Sequence, residues 1–146
     1  MRDLAAALLA VISFASLAEA PAVTPNSPRG LVESGATAYL KGGASAAIAA
    51  WVKGGPMEAN TQALTQANSL RQVEDYYGKP IGLDILRQAD VSERVSTIYF
   101  TVNYEKGVAF AKLNAYKKAD GAWVTTSFFF HTEASQVFPS SLLGLD

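Results

Sequence analysis

"YYGKPIGLDIL", residues 76–86, joins two halves of the chain that follow different periodicities. A Gly-Lys loop that grips phosphate sits after a strand and before a helix, with its lysine followed by Ser or Thr. Here the order is reversed: a helical pattern precedes the loop, a strand pattern follows it, and Lys79 is followed by Pro80. Gly78 therefore reads as the left-handed residue just past a helix end. Pro80 prevents the helix from continuing, and Gly82 lets the chain bend closely into a sheet. The stretch is a helix stop and a change of direction.

Upstream of it, residues 58–77 form the longest helical pattern. At 100° per residue, Val73, Ala59, Tyr77, Leu70, Ala63 and Ala67 fall within an arc of roughly 120°, the width of a core-facing stripe. Glu74 lies inside that arc and Tyr76 outside it. Two shorter helices come before. Ser27-Pro28 gives an N-cap followed by proline at the first helical position, predicting a helix over 28–41 that buries Leu31, Val32, Ala38 and Tyr39. Gly42-Gly43 breaks it. Residues 44–53 form a second helix, with Ile48, Trp51 and Val52 on one side, and Pro56 prevents its extension.

Downstream, the period becomes that of strands. Residues 81–88 make a short strand, and 95–103, 108–116 and 123–131 make three consecutive antiparallel ones. Ile98, Phe100, Val102 and Tyr104 share one face of the first of these three. Lys106-Gly107 and Asp120-Gly121 are expected to supply the positive φ of tight hairpins. The tail, 133–146, has room for one helical turn before Pro139. Helices followed by a run of antiparallel strands specify an α+β domain, with the helices packed on a bent antiparallel sheet.

The segments "VEDYYGKPIG", "IYFTVNYEKG", "NAYKKADGAWV" and "FFFHTE", in this order after N-terminal helices, resemble the NTF2-like superfamily. They are also similar to small exported bacterial proteins of that type. The resemblance covers residues 28–138 and implies a cone: a bent sheet wrapped around a long helix. Chains of this family usually carry a short strand between the second and third helices, for which "GGPMEANT" is barely long enough. A cystatin-like arrangement, one helix laid on a bent sheet, is the structural alternative. The cone hosts isomerases, dehydratases, transport factors and inert binding modules, so it does not choose a function.

The 146 residues, 49% hydrophobic and 17% charged with a formal net charge of −1, suit one globular domain. Lys and Arg are spread along the chain, with no basic stripe to track a nucleic-acid backbone. Residues 4–18 are an apolar run, too short for the ~20 residues that span a bilayer. At its end Ser16 and Ala18, or Ala18 and Ala20, stand at signal-peptidase spacing, and Pro21 disfavours cleavage after Ala20. The division expected is a signal peptide over 1–18, a linker over 19–27 and one domain over 28–146, exported to the periplasm or secreted. With no cysteine, a lipoprotein anchor, disulfides, thiol catalysis and thiolate metal sites are excluded.

No motif assigns a reaction. One histidine and no cysteine leave no metal-ligand cluster, and Asp84, Asp90 and Asp120 are too scattered for a calcium loop. No metal and no cofactor are expected. Acid–base chemistry has one foothold. A carboxylate in an aromatic-lined cone is held near neutral pKa by burial, and Glu74 is the candidate base. Tyr77, Tyr116 or His131 would supply the hydrogen-bond donor for an oxyanion or a ligand. The competing assignments are a Glu74 carboxylate reaching water or a strand lysine, and a sheet-edge His131. Phe128-Phe129-Phe130 puts large aromatics on both sheet faces. One face is covered by helices and the other by a partner subunit, giving a homodimer through the sheet, or by a folded-over loop. Two functions follow: a non-catalytic exported module that binds a small apolar ligand or a protein partner, and a cofactor-free isomerase or hydrolyase using Glu74.

Overall fold

The structure is a computed structural model and describes residues 25–145; the expected signal peptide and residues 19–24 of the linker lie outside the described residues. Helix α1 (Pro28–Val52) begins as its sequence dictates, with the Ser27 hydroxyl accepting the Gly30 N–H at 2.9 Å and Pro28 in the first turn. At Gly43 the backbone leaves the helix (φ 82°, ψ −172°), a conformation in which a side chain would be strained. The chain then folds back. Trp51 Nε1 donates to the Val32 carbonyl at 3.0 Å, whereas 19 residues of straight helix would separate them by about 28 Å. Thus α1 is a helical hairpin, the two helices expected over 28–41 and 44–53. Its halves meet where Gly35 leaves space for the Trp51 indole.

Helix α2 (Gln62–Tyr77) starts four residues later than the periodicity suggests. Turns occupy the preceding stretch: the Gly55 carbonyl accepts the Glu58 N–H, the Met57 carbonyl accepts the Asn60 N–H, and Asn60 Oδ1 accepts the Gln62 N–H. An Asx turn of this kind competes with the helix for the same donors. Ala59 is consequently exposed instead of lying in the core stripe, while Met57 is buried. Ala67 and Leu70 are buried as expected, with Ala63, Val73 and Tyr77 at the core margin. The helix ends at Gly78, whose N–H bonds the Glu74 carbonyl at 2.7 Å. Its φ of 88° is positive, as the helix stop requires, but ψ of −163° puts it in the glycine-only extended region and not in αL. From there the chain pairs at once with the turn at residues 105–107: Lys106 N–H to the Tyr77 carbonyl, Glu105 N–H to the Lys79 carbonyl.

Four strands follow in one antiparallel sheet of order β1-β2-β3-β4: β1 (Pro80–Ser92), β2 (Val95–Tyr104), β3 (Val108–Lys117) and β4 (Trp123–His131). β1 runs beyond its expected end at residue 88, because Ser92 pairs with Val95 across a two-residue turn. Gly121 has the positive φ expected of its hairpin (88°), but Gly107 does not. Glycine is required at 107 for another reason: a Cβ there would overlap the Tyr77 ring.

Helices pack on one face of the sheet. Ile98, Phe100, Val102 and Tyr104 of β2 meet them, beside Ala109, Ala111, Leu113 and Ala115 of β3. The alanines leave depth for Trp51, which stacks on Phe128 at 4.8 Å and tilts against Phe100 at 5.9 Å. Between the helices, residues 53–61 hold turns and no strand. The opposite face receives the C-terminal segment, a 3₁₀ turn (Ala134–Gln136) and a short helix α3 (Ser140–Leu143) on either side of Pro139. Phe138 is buried there, edge-on to Tyr99 at 5.9 Å and Phe110 at 5.4 Å. A folded-over segment therefore covers the centre of this face. Phe129, pointing the same way, is 44% exposed.

Candidate functional site

Glu74 and Tyr77 are brought together, around a third residue. The Tyr39 hydroxyl from α1 and the Tyr104 hydroxyl from β2 lie 3.1 Å apart in a buried hydrogen bond. Tyr77 packs against the Tyr104 ring at 6.3 Å. Burial pushes Tyr104 up to about 12, its bond with Tyr39 partly offsetting the rise and the nearby Glu74 charge adding to it. Tyr39 is raised further, by burial first, then by the Tyr104 bond and Glu74. The carboxylate thus faces the tyrosine pair, on the buried side of α2. Among the described residues, none of the five best-formed concavities is lined by Glu74 or Tyr77. The cavity beside Tyr39, Leu83 and Val102 measures about 10 Å³, at the lower limit for one water. Among the described residues, every buried side-chain polar atom has a partner. This cluster clamps the first half of α1 to the sheet.

Tyr116 and His131 lie elsewhere. In the β3–β4 ladder Tyr116 pairs with Val124 and His131 with Phe110. Six residues along β3 separate those positions, about 20 Å. Tyr116 is 39% exposed. His131 Nδ1 accepts the Glu133 N–H at 3.0 Å, so the neutral ring carries its proton on Nε2. His131 also borders a broad, open groove of about 560 Å³ between α2 and β4, with Gln66, Tyr76 and Phe129. The four sequence-derived candidates are therefore two half-buried residues beside the buried tyrosine pair and two positions elsewhere, not one site.

The best-formed concavity lies at the other end of the helical hairpin. Leu31 of α1's first half, Ala50 of its second and Trp123 and Val124 of β4 line a cleft of about 300 Å³. Lys53, just past α1, and Lys118, in the β3–β4 turn, stand at its margin, and Pro25 closes one side. It is more enclosed than the groove at His131 and its lining is chiefly apolar. Its walls are fixed to each other: the Thr125 hydroxyl, fully buried, donates to the Trp51 carbonyl and ties the end of α1 to β4. Here β4 shifts register against β3 after Asn114, a bulge that bends the strand. Of the two tryptophans in the chain, Trp51 is wholly buried in the core and Trp123 lines the cleft.

Sequence reasoning gave no role to Lys53 or Lys118. No local signal joins them: the lysines are 65 positions apart, and only the hairpin in α1 and the β3–β4 turn bring them to one opening. Among the described residues no group of three or more His, Cys, Asp or Glu is arranged to hold a metal ion. No helix among them is long and apolar enough to cross a membrane. No family model, curated protein or solved structure matches the chain.

Proposed function

We propose that the chain is an exported, non-catalytic binding domain whose cleft between α1 and the start of β4 holds a small apolar ligand. One observation carries the reading: a chiefly apolar space of about 300 Å³ between α1 and β4, which the Thr125–Trp51 hydrogen bond ties together, at the lower end of the volumes that hold small molecules. At roughly 30 Å³ for each water-sized group, it accepts about ten non-hydrogen atoms. Support for export is the apolar run over 4–18 with small residues at its end. Kinship with the NTF2-like superfamily is part of the proposal and rests on the order of segments. The acid–base alternative has less support, because none of the five best-formed concavities is lined by Glu74 or Tyr77.

The test is titration with a neutral apolar probe, 1-octanol, followed by tryptophan fluorescence. A saturable change that disappears in Trp123→Phe supports the reading, since the remaining Trp51 is shielded in the core. No saturable change in the wild-type chain contradicts it. A homodimer through the outer sheet face is the second reading, favoured by the exposure of Tyr116 and Phe129. Light scattering decides it: a mass twice that of the chain supports the dimer and a monomer removes it.

A further inference from the structure

We infer that the ligand of this cleft is a monoanionic amphiphile, its apolar tail against Leu31, Trp123 and Val124 and its carboxylate-like head between Lys53 and Lys118. The inference rests on the cleft being the ligand site and adds the chemical class of the ligand.

The lining contains two lysines and no carboxylate, although the chain as a whole carries a net charge of −1. Lys118 also borders an adjoining cleft of about 350 Å³ that holds Arg94 and Lys117. Three carboxylates lie in this region. Glu58 is engaged by the Gly54 N–H at 2.8 Å. Asp120 accepts the Ala122 N–H at 3.0 Å, which closes the β3–β4 turn and, with Lys118, holds the acid below its usual range. Glu93 lines the adjoining cleft next to Arg94. The contact between Lys118 Nζ and Asp120, at 3.7 Å with both side chains largely in water, is a weak surface pair. An anion at the mouth therefore competes with little. Four cations, Lys53, Arg94, Lys117 and Lys118, meet three carboxylates; two of the carboxylates accept backbone donors, and Arg94 donates to the Lys117 carbonyl at 3.1 Å. Lysine stems also lie along apolar surface while their ammonium groups stay in water, which suits a ligand whose tail is buried and whose head stays at the surface. A nucleotide or bare phosphate fits poorly, because the interior beyond the lysines offers Leu, Trp and Val.

Size narrows the class. Octanoate has about the ten non-hydrogen atoms that the volume accepts at roughly 30 Å³ each. The experiment compares octanoate with 1-octanol on the full chain, at low salt, by Trp123 fluorescence. Octanoate is expected to bind about fivefold more tightly, equivalent to about 1 kcal/mol at 1.4 kcal/mol per decade. The double variant Lys53→Met with Lys118→Met should lose that preference, binding octanoate no more tightly than 1-octanol. The pair Lys53→Arg with Lys118→Arg should retain the preference. Added salt should shrink the advantage of octanoate and leave 1-octanol unaffected. Equal affinity of the two ligands for the wild-type chain, or a preference that survives in the methionine variant, overturns the inference while leaving the cleft as an apolar site. If neither ligand binds, the cleft reading itself falls and takes the inference with it.

Discussion

Gly35→Ala separates a folded-back α1 from a continuous one. In an exposed helix interior this substitution stabilises by up to about 1 kcal/mol, since alanine is the better helix former. Gly35 is not exposed: a Cβ built there falls within the Trp51 indole, against Nε1, Cδ1 and Cε2. The indole has no room to retreat, being fully buried, stacked on Phe128 at 4.8 Å and close to Phe100 at 5.9 Å. Overpacking of a dense core costs about 1–3 kcal/mol. Displacing the ring also breaks the bond from Trp51 Nε1 to the Val32 carbonyl, and a buried donor left without a partner adds about 1–3 kcal/mol. After subtracting the propensity gain, a loss of about 1–5 kcal/mol remains. For a domain of this size each kcal/mol moves Tm by about 4 °C, so the expected drop is about 4–20 °C. Urea unfolding followed by tryptophan fluorescence measures it directly, and the emission of the native variant should shift as Trp51 is displaced. A Tm that is unchanged or raised would refute the hairpin, because it would mean that Gly35 faces solvent.

Three further outcomes follow from the same geometry. The Tyr39–Tyr104 pair should make the fold labile to alkali. Above pH 10 the unfolded chain releases phenolic protons that the folded one keeps, so stability is intact below pH 10 and falls as pH rises toward 12. The two-unit rise of Tyr104 corresponds to about 3 kcal/mol. Thermal melts from pH 8 to 12 test this, and a flat Tm across that range would contradict the buried pair. Phe138→Ala should cost about 2–4 kcal/mol, as a buried ring is removed from Tyr99 and Phe110; a loss under 0.5 kcal/mol in urea unfolding would mean that the tail does not seat on the sheet. Glu74→Gln should leave 1-octanol affinity unchanged, since Glu74 does not line the cleft. A tenfold loss in the fluorescence titration would return Glu74 to the binding site.

The helix stop at Gly78 was legible because glycine, proline and the change of period all fall within a few residues. The inward set Ile98, Phe100, Val102 and Tyr104 was legible for a similar reason: alternation on a strand is a local property. The break at Gly42-Gly43 could be read, but its consequence could not. Nothing near Val32 in sequence indicates that Trp51 returns to bond its carbonyl. Asn60 misled the placement of α2, since an Asx turn took donors that the periodicity assigned to the helix. Gly107 was assigned to the right turn for the wrong reason, as the Tyr77 ring that requires it lies 30 positions away. Glu74 pointed inward as its helical angle implied, yet angle carries no information about volume, and its surroundings are filled by Tyr39 and Tyr104. The cleft was invisible for the opposite reason. Its walls come from α1, the β3–β4 turn and β4, none of which bears a local mark of ligand binding.

The binding site is tested most directly by mapping backbone amide NMR shifts during titration of the full chain with 1-octanol. The expected result is a set of saturable shifts centred on Leu31, Ala50, Lys53, Trp123 and Val124, with Trp51 Nε1–H little changed. Shifts centred instead on Tyr76, Phe129 and His131, or none that saturate, would contradict a ligand site between α1 and β4.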